Sequence, residues 1–495
     1  MSERATAPPA ALSPAAAVAG DASDRIDPRV WRISAVVMLG PLLTSLDSTV
    51  VNVSLSTLSR ELHASLTDIQ WVSSGYLLAL ALVLPVSGWL VDRVGARAVY
   101  LGCFTAFTLT SMMCGFARSS GSLIFFRVLQ GSAGGLLAPM AQMMMARVGG
   151  RHLARIMGYS VVPVMIGPIA GPTMAGLILQ YEGWRWTFLI NLPIGILATV
   201  LAWRVLPRDH HERNPRAFDA LGFALLSPGL VLALHSLERI ATARAIRGWV
   251  GGELGLAIVL LAAFGAHARR RGRSALIDLS LFRGRTFSAA ASTQFLQNAV
   301  SFGGQFLMPL YLLLVVGRSP GSTGMLLAPV GVGMLCSAPF MGTLTERFGP
   351  RRVASTGALI ALAGTLPFAI VGAGHLPILV MGGALFLRGA GMGSVGIPSI
   401  AAAYAGMPRA QMPIATTALN IVQRIGGPIA TTALAIVLYS GIEAHPASDK
   451  APAFVVTFWV LCGLHLLCLV SASRLPMKAQ PTPLSSSFSN RPRVA

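Results

Sequence analysis

Fourteen stretches of mostly apolar residues alternate with short polar segments along this 495-residue chain. A hydrocarbon core of ~30 Å takes about 20 residues of helix to cross. The pattern therefore predicts transmembrane helices near 33–55, 71–91, 98–116, 122–146, 156–180, 186–205, 218–237, 249–268, 287–316, 321–341, 353–373, 376–400, 413–440 and 451–473. Residues 1–32 are rich in Ala and Pro, carry Arg and Asp, and lack the apolar core and cleavage site of a signal peptide. They predict a disordered cytosolic tail. Residues 474–495, ending in QPTPLSSSFSNRPRVA, predict a second one. The expected class is an all-α integral membrane fold.

The basic residues keep step with the helices. With the N-terminus placed in the cytosol, 27 Lys or Arg fall in inner segments and eight in outer loops. That is the asymmetry of the positive-inside rule. It predicts a multi-pass protein of the cytoplasmic (inner) membrane with both termini cytosolic. Composition agrees, because 54% of residues are hydrophobic and only 11% charged, against about 25% charged in soluble domains. The formal charge of +20 implies no nucleic-acid partner, since the arginines sit in short loops between spans. Only Lys450 and Lys478 are lysines.

The chain repeats itself. GWLVDRVGARAVYLG from Gly88 matches GTLTERFGPRRVASTG from Gly342, an offset of 254. QGSAGG from Gln130 matches RGAGMG from Arg388, an offset of 258, and Pro168 matches Pro428 at 260. Three matches near one offset predict two homologous six-helix halves, 33–205 and 287–473, with two inserted helices in a linker over 206–286. Repeated membrane halves around a midplane site are the plan of an alternating-access transporter.

One carboxylate lies deep in a span. Asp47, in TSLDSTVVNVSL, stands in a setting where a charge is disfavoured by ~2.5–3.5 kcal/mol. Arg127, in RVLQGSAGG, is an intramembrane base. Asp47 lies roughly 21 Å above the cytosolic end of its helix and Arg127 at ~22 Å, at 1.5 Å per residue. Acid and base are therefore expected to meet. Burial disfavours charge on a carboxylate and a neighbouring cation favours it. A helix movement that changes this balance would load and release a proton.

Other motifs are built for close packing and turning. In GWLVDRVGAR, Gly88 and Gly95 permit close approach and a tight turn, Asp92 can cap a helix or pair with an arginine, and Arg93 and Arg97 fix topology. The second copy supplies Glu346, Arg347 and Arg351, with Glu in place of Asp. In PVMIGPIAGPTMAG, Gly167, Pro168 and Gly171 bend the helix and thin its face. GWRWTFLINLPIG offers Trp184 and Trp186 as interfacial aromatics and Asn191 with Pro193 as a kink.

Together LDSTVVNV, GWLVDRVGAR, RVLQGSAGG, GPIAGP and GWRWTFLINLPIG resemble the major facilitator superfamily, specifically its fourteen-helix drug:proton antiporter family (the DHA2 type, with QacA- and EmrB-like members). The resemblance covers about residues 33–473. It implies a proton-coupled multidrug exporter of hydrophobic or amphiphilic compounds. In it Arg127 would serve proton transfer, the Gly88–Arg97 motif and its Glu346 copy would latch the gate, and Gly167–Gly171 would form the antiporter segment. Pro163 and Pro172 stand where that pattern usually has glycine, which predicts a sharper bend. A dedicated exporter of one metabolite, such as a siderophore, antibiotic or fatty acid, fits the same motifs.

Polar residues on the spans predict the substrate cavity. They are Thr44, Asp47 and Ser54 on helix one, Tyr76 on helix two and Gln130 on helix four. Helix nine adds Gln294, Gln297, Asn298 and Gln305, and helix thirteen adds Asn420, Gln423 and Arg424. Met140, Met143, Met144 and Met145 offer adaptable apolar surface or ordinary core. Arg388 and Arg424 make the second half locally positive. The five cysteines lie in apolar runs and read as packing residues, and His210 and His211 in RDHHER lack a third ligand, so no metal is expected. The sequence has no Walker motif, so no cofactor or ATP coupling is expected. The short basic loops carry no paired acids for an enzyme. The inserted helices offer a docking surface for a periplasmic adaptor. The remaining partners are the lipid bilayer, protons and a small-molecule substrate.

Overall fold

The computed structural model describes residues 26–208, 217–243, 248–371, 376–444 and 450–477. The paired histidines of RDHHER lie outside these residues. The helices of the first half are α1 (Pro28–Glu61), α2 (Leu66–Val83), α3 (Ser87–Val94), α4 (Ala96–Gly115), α5 (Ser120–Gly149), α6 (Leu153–Tyr181), α7 (Trp186–Leu189) and α8 (Asn191–Val205). The inserted pair is α9 (Ala220–Ala243) and α10 (Gly248–Arg271). The second half holds α11 (Arg285–Leu314), α12 (Pro320–Phe348), α13 (Pro350–Val371), α14 (Ile378–Tyr404), α15 (Met412–Ala444) and α16 (Ala451–Ala472).

Thirteen spans among the described residues are long and apolar enough to cross a membrane, with α2 and α3 forming one span and α7 and α8 another. The fourteenth, α11, has 30 residues. Gln294, Gln297, Asn298 and Gln305 lower its hydropathy below the others. Most helices run past the predicted apolar stretches, because their stop signals lie outside those stretches. Asp27 caps α1, accepting from the Arg29 amide at 2.7 Å, with Pro28 at the first helical position. Ser119 and Ser122 form a reciprocal cap on α5. The first repeated span is broken by a 3₁₀ turn at Leu84–Val86, where Pro85 removes a ladder hydrogen bond.

The internal repeat is visible in the backbone. Gly95 ends α3 with φ 104°, and Gly349 ends α12 with φ 84°. Both occupy the left-handed region that glycine enters without strain. Gly131 of α5 lies so close to the Tyr76 carbonyl of α2 that no side chain fits. Gly389 of α14 lies just as close to the Val330 carbonyl of α12, the repeat-related pair. The same close packing, driven by shape rather than by water exclusion, thus builds each half.

The named inter-half links gather at the arginine-rich ends. Ser87 and Thr417 hydroxyls lie 2.7 Å apart. Arg155 Nη2 donates to Glu346 Oε2 at 2.6 Å, and His152 Nδ1 lies 3.5 Å from Oε1. Asn420 Nδ2 donates to Gln142 Oε1 at 2.9 Å.

The insert touches both halves. The His235 ring of α9 stacks on Trp71 of α2 at 5.7 Å, while Thr432 of α15 donates to the Leu237 carbonyl at 2.8 Å. At its foot, the buried Asp219 lies 2.8 Å from His267 Nε2 and accepts from Arg271 Nη1 at 2.9 Å. It also accepts from the Gly222 and Leu276 amides, each at 3.0 Å. Burial alone would push this carboxyl up. The hydrogen bonds from His267, Gly222 and Leu276 outweigh burial and hold it below the usual carboxylate range.

Candidate functional site

Asp47 sits midway along α1 and is fully buried. Arg127 Nη1 donates to its Oδ2 at 2.7 Å, so the predicted meeting of acid and base is present. The other carboxylate oxygen accepts from Asn191 Nδ2 at 2.7 Å and Gln130 Nε2 at 3.2 Å. Arg127 is held in turn. Its Nε donates to the Val72 carbonyl at 3.0 Å, and Nη1 also reaches Gln130 Oε1 at 2.7 Å. The guanidinium lies 4.1 Å above the Tyr76 ring. Tyr76 is 1% exposed, and its hydroxyl has no partner among the described residues.

Charge, donors and an aromatic face thus converge from α1, α2, α5 and α8, the arrangement that keeps a buried ion pair tolerable. Asn191 was expected only to mark a kink. It opens α8 where the chain breaks after α7, and the break turns its amide inward onto Asp47 and onto Ser111 Oγ at 3.1 Å. An asparagine between two apolar runs was the available signal, and only a fold that brings α8 against α1 gives it meaning. Trp184 is 4% exposed and packs edge-on against Phe188. Trp186 is exposed.

The gate motif divides by residue. Gly88 seats α3 against Pro413 and Thr417 of α15. Asp92 lines a small cavity with Trp89, Asp219, Leu276 and Ile414, next to the foot of the insert. Arg93 is exposed, and Arg97 donates to the Trp203 carbonyl of α8. In the second copy Glu346 forms the link to Arg155. Arg347 lies over Phe348 at 5.3 Å, and Arg351 Nε donates to the Leu475 carbonyl at 2.8 Å.

In the antiporter segment, Gly167 packs on Ser45 and Gly171 on Thr49, so α6 lies close along α1. Pro168 lies on α6 between them. The four methionines Met140, Met143, Met144 and Met145 are buried in the core.

The predicted cavity residues separate into groups. Thr44 and Ser54 bond within α1, Thr44 to the Gly40 and Pro41 carbonyls and Ser54 to Val50. Gln130 belongs to the buried pair. Gln294 donates to Ser399 Oγ at 2.6 Å and accepts from Gln423 at 2.9 Å. Gln297 donates to the Met392 carbonyl and Asn298 to the Gln294 carbonyl. Gln305 is exposed and, among the described residues, reaches Ser301 Oγ alone, at 3.4 Å. Asn420 joins Gln142, which sequence reasoning did not single out. Arg424 is half-buried and makes no hydrogen bond or ion pair among the described residues.

Two six-helix halves with a buried ion pair in one and a closed arginine-rich end define a membrane transporter of the two-half kind. Residues 37–431 match the Major Facilitator Superfamily profile, and the chain belongs to that family. It is similar to a multidrug resistance protein B homolog of Mycobacterium tuberculosis, with 35% identity over 407 residues, 80% of this chain and 74% of the relative. It is also similar to a putative multidrug resistance protein MdtD of Klebsiella pneumoniae, with 32% identity over 360 residues, 72% of this chain and 74% of the relative. Among solved structures it shares the fold of the proton:xylose symporter XylE at a TM-score of 0.62 and 14% identity, covering 91% of this chain and 97% of that one.

Proposed function

We propose that the protein is a proton-coupled multidrug efflux transporter of the cytoplasmic membrane, with both termini in the cytosol, exporting hydrophobic or amphiphilic compounds by alternating access. The observation that carries the reading is the fully buried Asp47–Arg127 pair at 2.7 Å, braced by Asn191, Gln130 and the Tyr76 ring. The multidrug-resistance names of its relatives support the export class.

Protonating Asp47 discharges one partner and leaves the arginine unmatched in a low-dielectric site. Relief requires α1 and α5 to shift, and α1 lies against α6, whose neighbour α12 carries Glu346. Proton loading is thereby connected to the Arg155–Glu346 link that holds the arginine-rich ends together. With those ends cytosolic, the state described is closed to the cytosol.

The test is export of ethidium from proteoliposomes under an imposed pH gradient. The wild type concentrates the dye against its gradient. Asp47→Asn and Arg127→Ala lose at least nine-tenths of gradient-driven export, by about the tenfold that 1.4 kcal/mol represents. Full proton-driven transport by Asp47→Asn overturns the reading.

A further inference from the structure

Three parts of the chain meet beside α3. Around one small cavity stand Trp89 and Asp92 of α3, Ile414 of α15, and Asp219, Ala275 and Leu276 of the insert and its linker. α3 and α15 come from different halves, and they touch nearby through Gly88 with Pro413 and Ser87 with Thr417. The insert is therefore a third body at the contact that closes the arginine-rich ends.

Its place there depends on a short stretch of irregular chain. Residues 275–277 form no helix or strand, yet Ala275, Leu276 and Ile277 are all buried. Such a segment cannot satisfy its own amides, and a buried amide needs an acceptor. The Ala275 amide donates to the Gly272 carbonyl at 3.1 Å. The Leu276 amide donates to Asp219 Oδ2 at 3.0 Å. The other oxygen, Oδ1, accepts from the Gly222 amide in the first turn of α9 and from Arg271 in the last turn of α10, with His267 beside it. Phe218, the residue before Asp219, packs on the Trp89 ring with centroids 4.8 Å apart. One carboxylate thus ties the start of α9, the end of α10 and the linker into a unit, and the adjacent ring seats that unit on α3. Joining the two helices at their foot would need only His267 and Arg271. The bond to the Leu276 amide reaches beyond the helix pair and fixes an apolar segment where the two halves meet.

We propose that Asp219 is a positioning residue of the closure: it holds Leu276 beside α3 and α15, and the arginine-rich ends stay shut only with that segment in place. This rests on the alternating-access reading above and adds the insert to the parts that set which side is open. Leu276 fills space at a junction of both halves, so its withdrawal removes apolar contact from the closed arrangement alone. The equilibrium then moves toward the state in which the arginine-rich ends are apart.

The test is double electron–electron resonance on the full-length protein in lipid nanodiscs, in a Cys336→Ser background that leaves only buried cysteines. One label pair, Val94→Cys with Phe348→Cys, reads the arginine-rich ends. A second, Phe116→Cys with Ile370→Cys, reads the opposite ends of α4 and α13, and all four positions are exposed. Asp219→Ala raises the long-distance population of the first pair about tenfold and shortens the second pair in step. Leu276→Ala, which leaves the carboxylate in place, acts in the same direction to a smaller extent. Gly222→Ala does so as well, because a Cβ there has no room beside the Asp219 carboxylate. These two variants carry the test where Asp219→Ala fails to purify. A purely structural joint leaves both pairs as in wild type, or broadens both without the reciprocal shortening, and either result overturns the proposal. Where Glu346→Ala separates the arginine-rich ends and all three insert variants leave them shut, the proposal falls alone and the closure in the export reading stands without the insert.

Discussion

The guanidinium of Arg388 occupies the space that a side chain at Gly304 would need. Gly304 stands on α11 at an offset of 257 from Asp47, so it is the repeat counterpart of the acid. Arg388 is 2% exposed, donates to the Val300 carbonyl at 2.9 Å, and has no partner for its Nε among the described residues. Behind it Thr365, the counterpart of Ser111, lies 3.0 Å from His465 Nε2. The first half matches a base with an acid; the second deletes the acid and fills its place with a base.

Gly304→Ala is therefore expected to destabilise the protein by about 1–3 kcal/mol through overpacking. In an Arg388→Ala background the same change is expected to be nearly neutral. A double-mutant cycle on thermal unfolding midpoints measures the coupling. Additive effects would show that the two side chains do not share the space.

Glu346→Ala is expected to loosen the arginine-rich ends. It leaves Arg155 without the 2.6 Å contact, and removing one partner of a partly buried pair weakens the interface by more than a surface bridge would. Spin labels at Val94→Cys and Phe348→Cys, both exposed positions at the two repeated turns, report the separation. Cys336→Ser removes the exposed cysteine, and the other four are buried. Glu346→Ala shifts the distribution to longer distances, and an unchanged distribution argues against the link.

Asn191→Leu removes a donor at 2.7 Å from Asp47 and leaves Ser111 without the amide. The expected loss is about 1–3 kcal/mol, the range for a buried group left unsatisfied. Gradient-driven ethidium export is expected to drop more than tenfold while the protein still inserts and purifies. Wild-type export by Asn191→Leu would reduce the residue to packing.

Asp219 predicts an acid limit for the insert. Its carboxyl is held below the ordinary range, so the folded state binds its proton less readily than the unfolded chain. That contribution is fully present above the unfolded value of about 4 and is lost as pH falls through the lower folded value. Asp219→Asn should flatten the dependence of unfolding temperature on pH between about 5 and 3. The measurement is a thermal-unfolding series across that window.

The fold was legible because membrane helices announce themselves by length and by the arginines between them. Asp47 and Arg127 were legible for the same reason: a charge in an apolar run needs an explanation wherever it occurs. Asn191 and Gln142 were not, since a single amide near a helix end is unremarkable until a distant helix arrives beside it. α11 illustrates the reverse case. Its glutamines obscure it as a span and reveal it as an inner wall, because they bond inward to Met392, Gly396 and Ser399. Ser54 looked like a cavity residue from its helical spacing, yet its hydroxyl is spent on Val50.

The seat of α9 has a mechanical consequence. Through His235 it rests on α2, and through Leu237 it is bonded to α15, so one helix holds a side of each half. Separation of α2 from α15 along that flank must strip α9 from one of them. Two residues apart on one helix, those contacts would make the insert a strap on that side in the proposed alternating-access cycle.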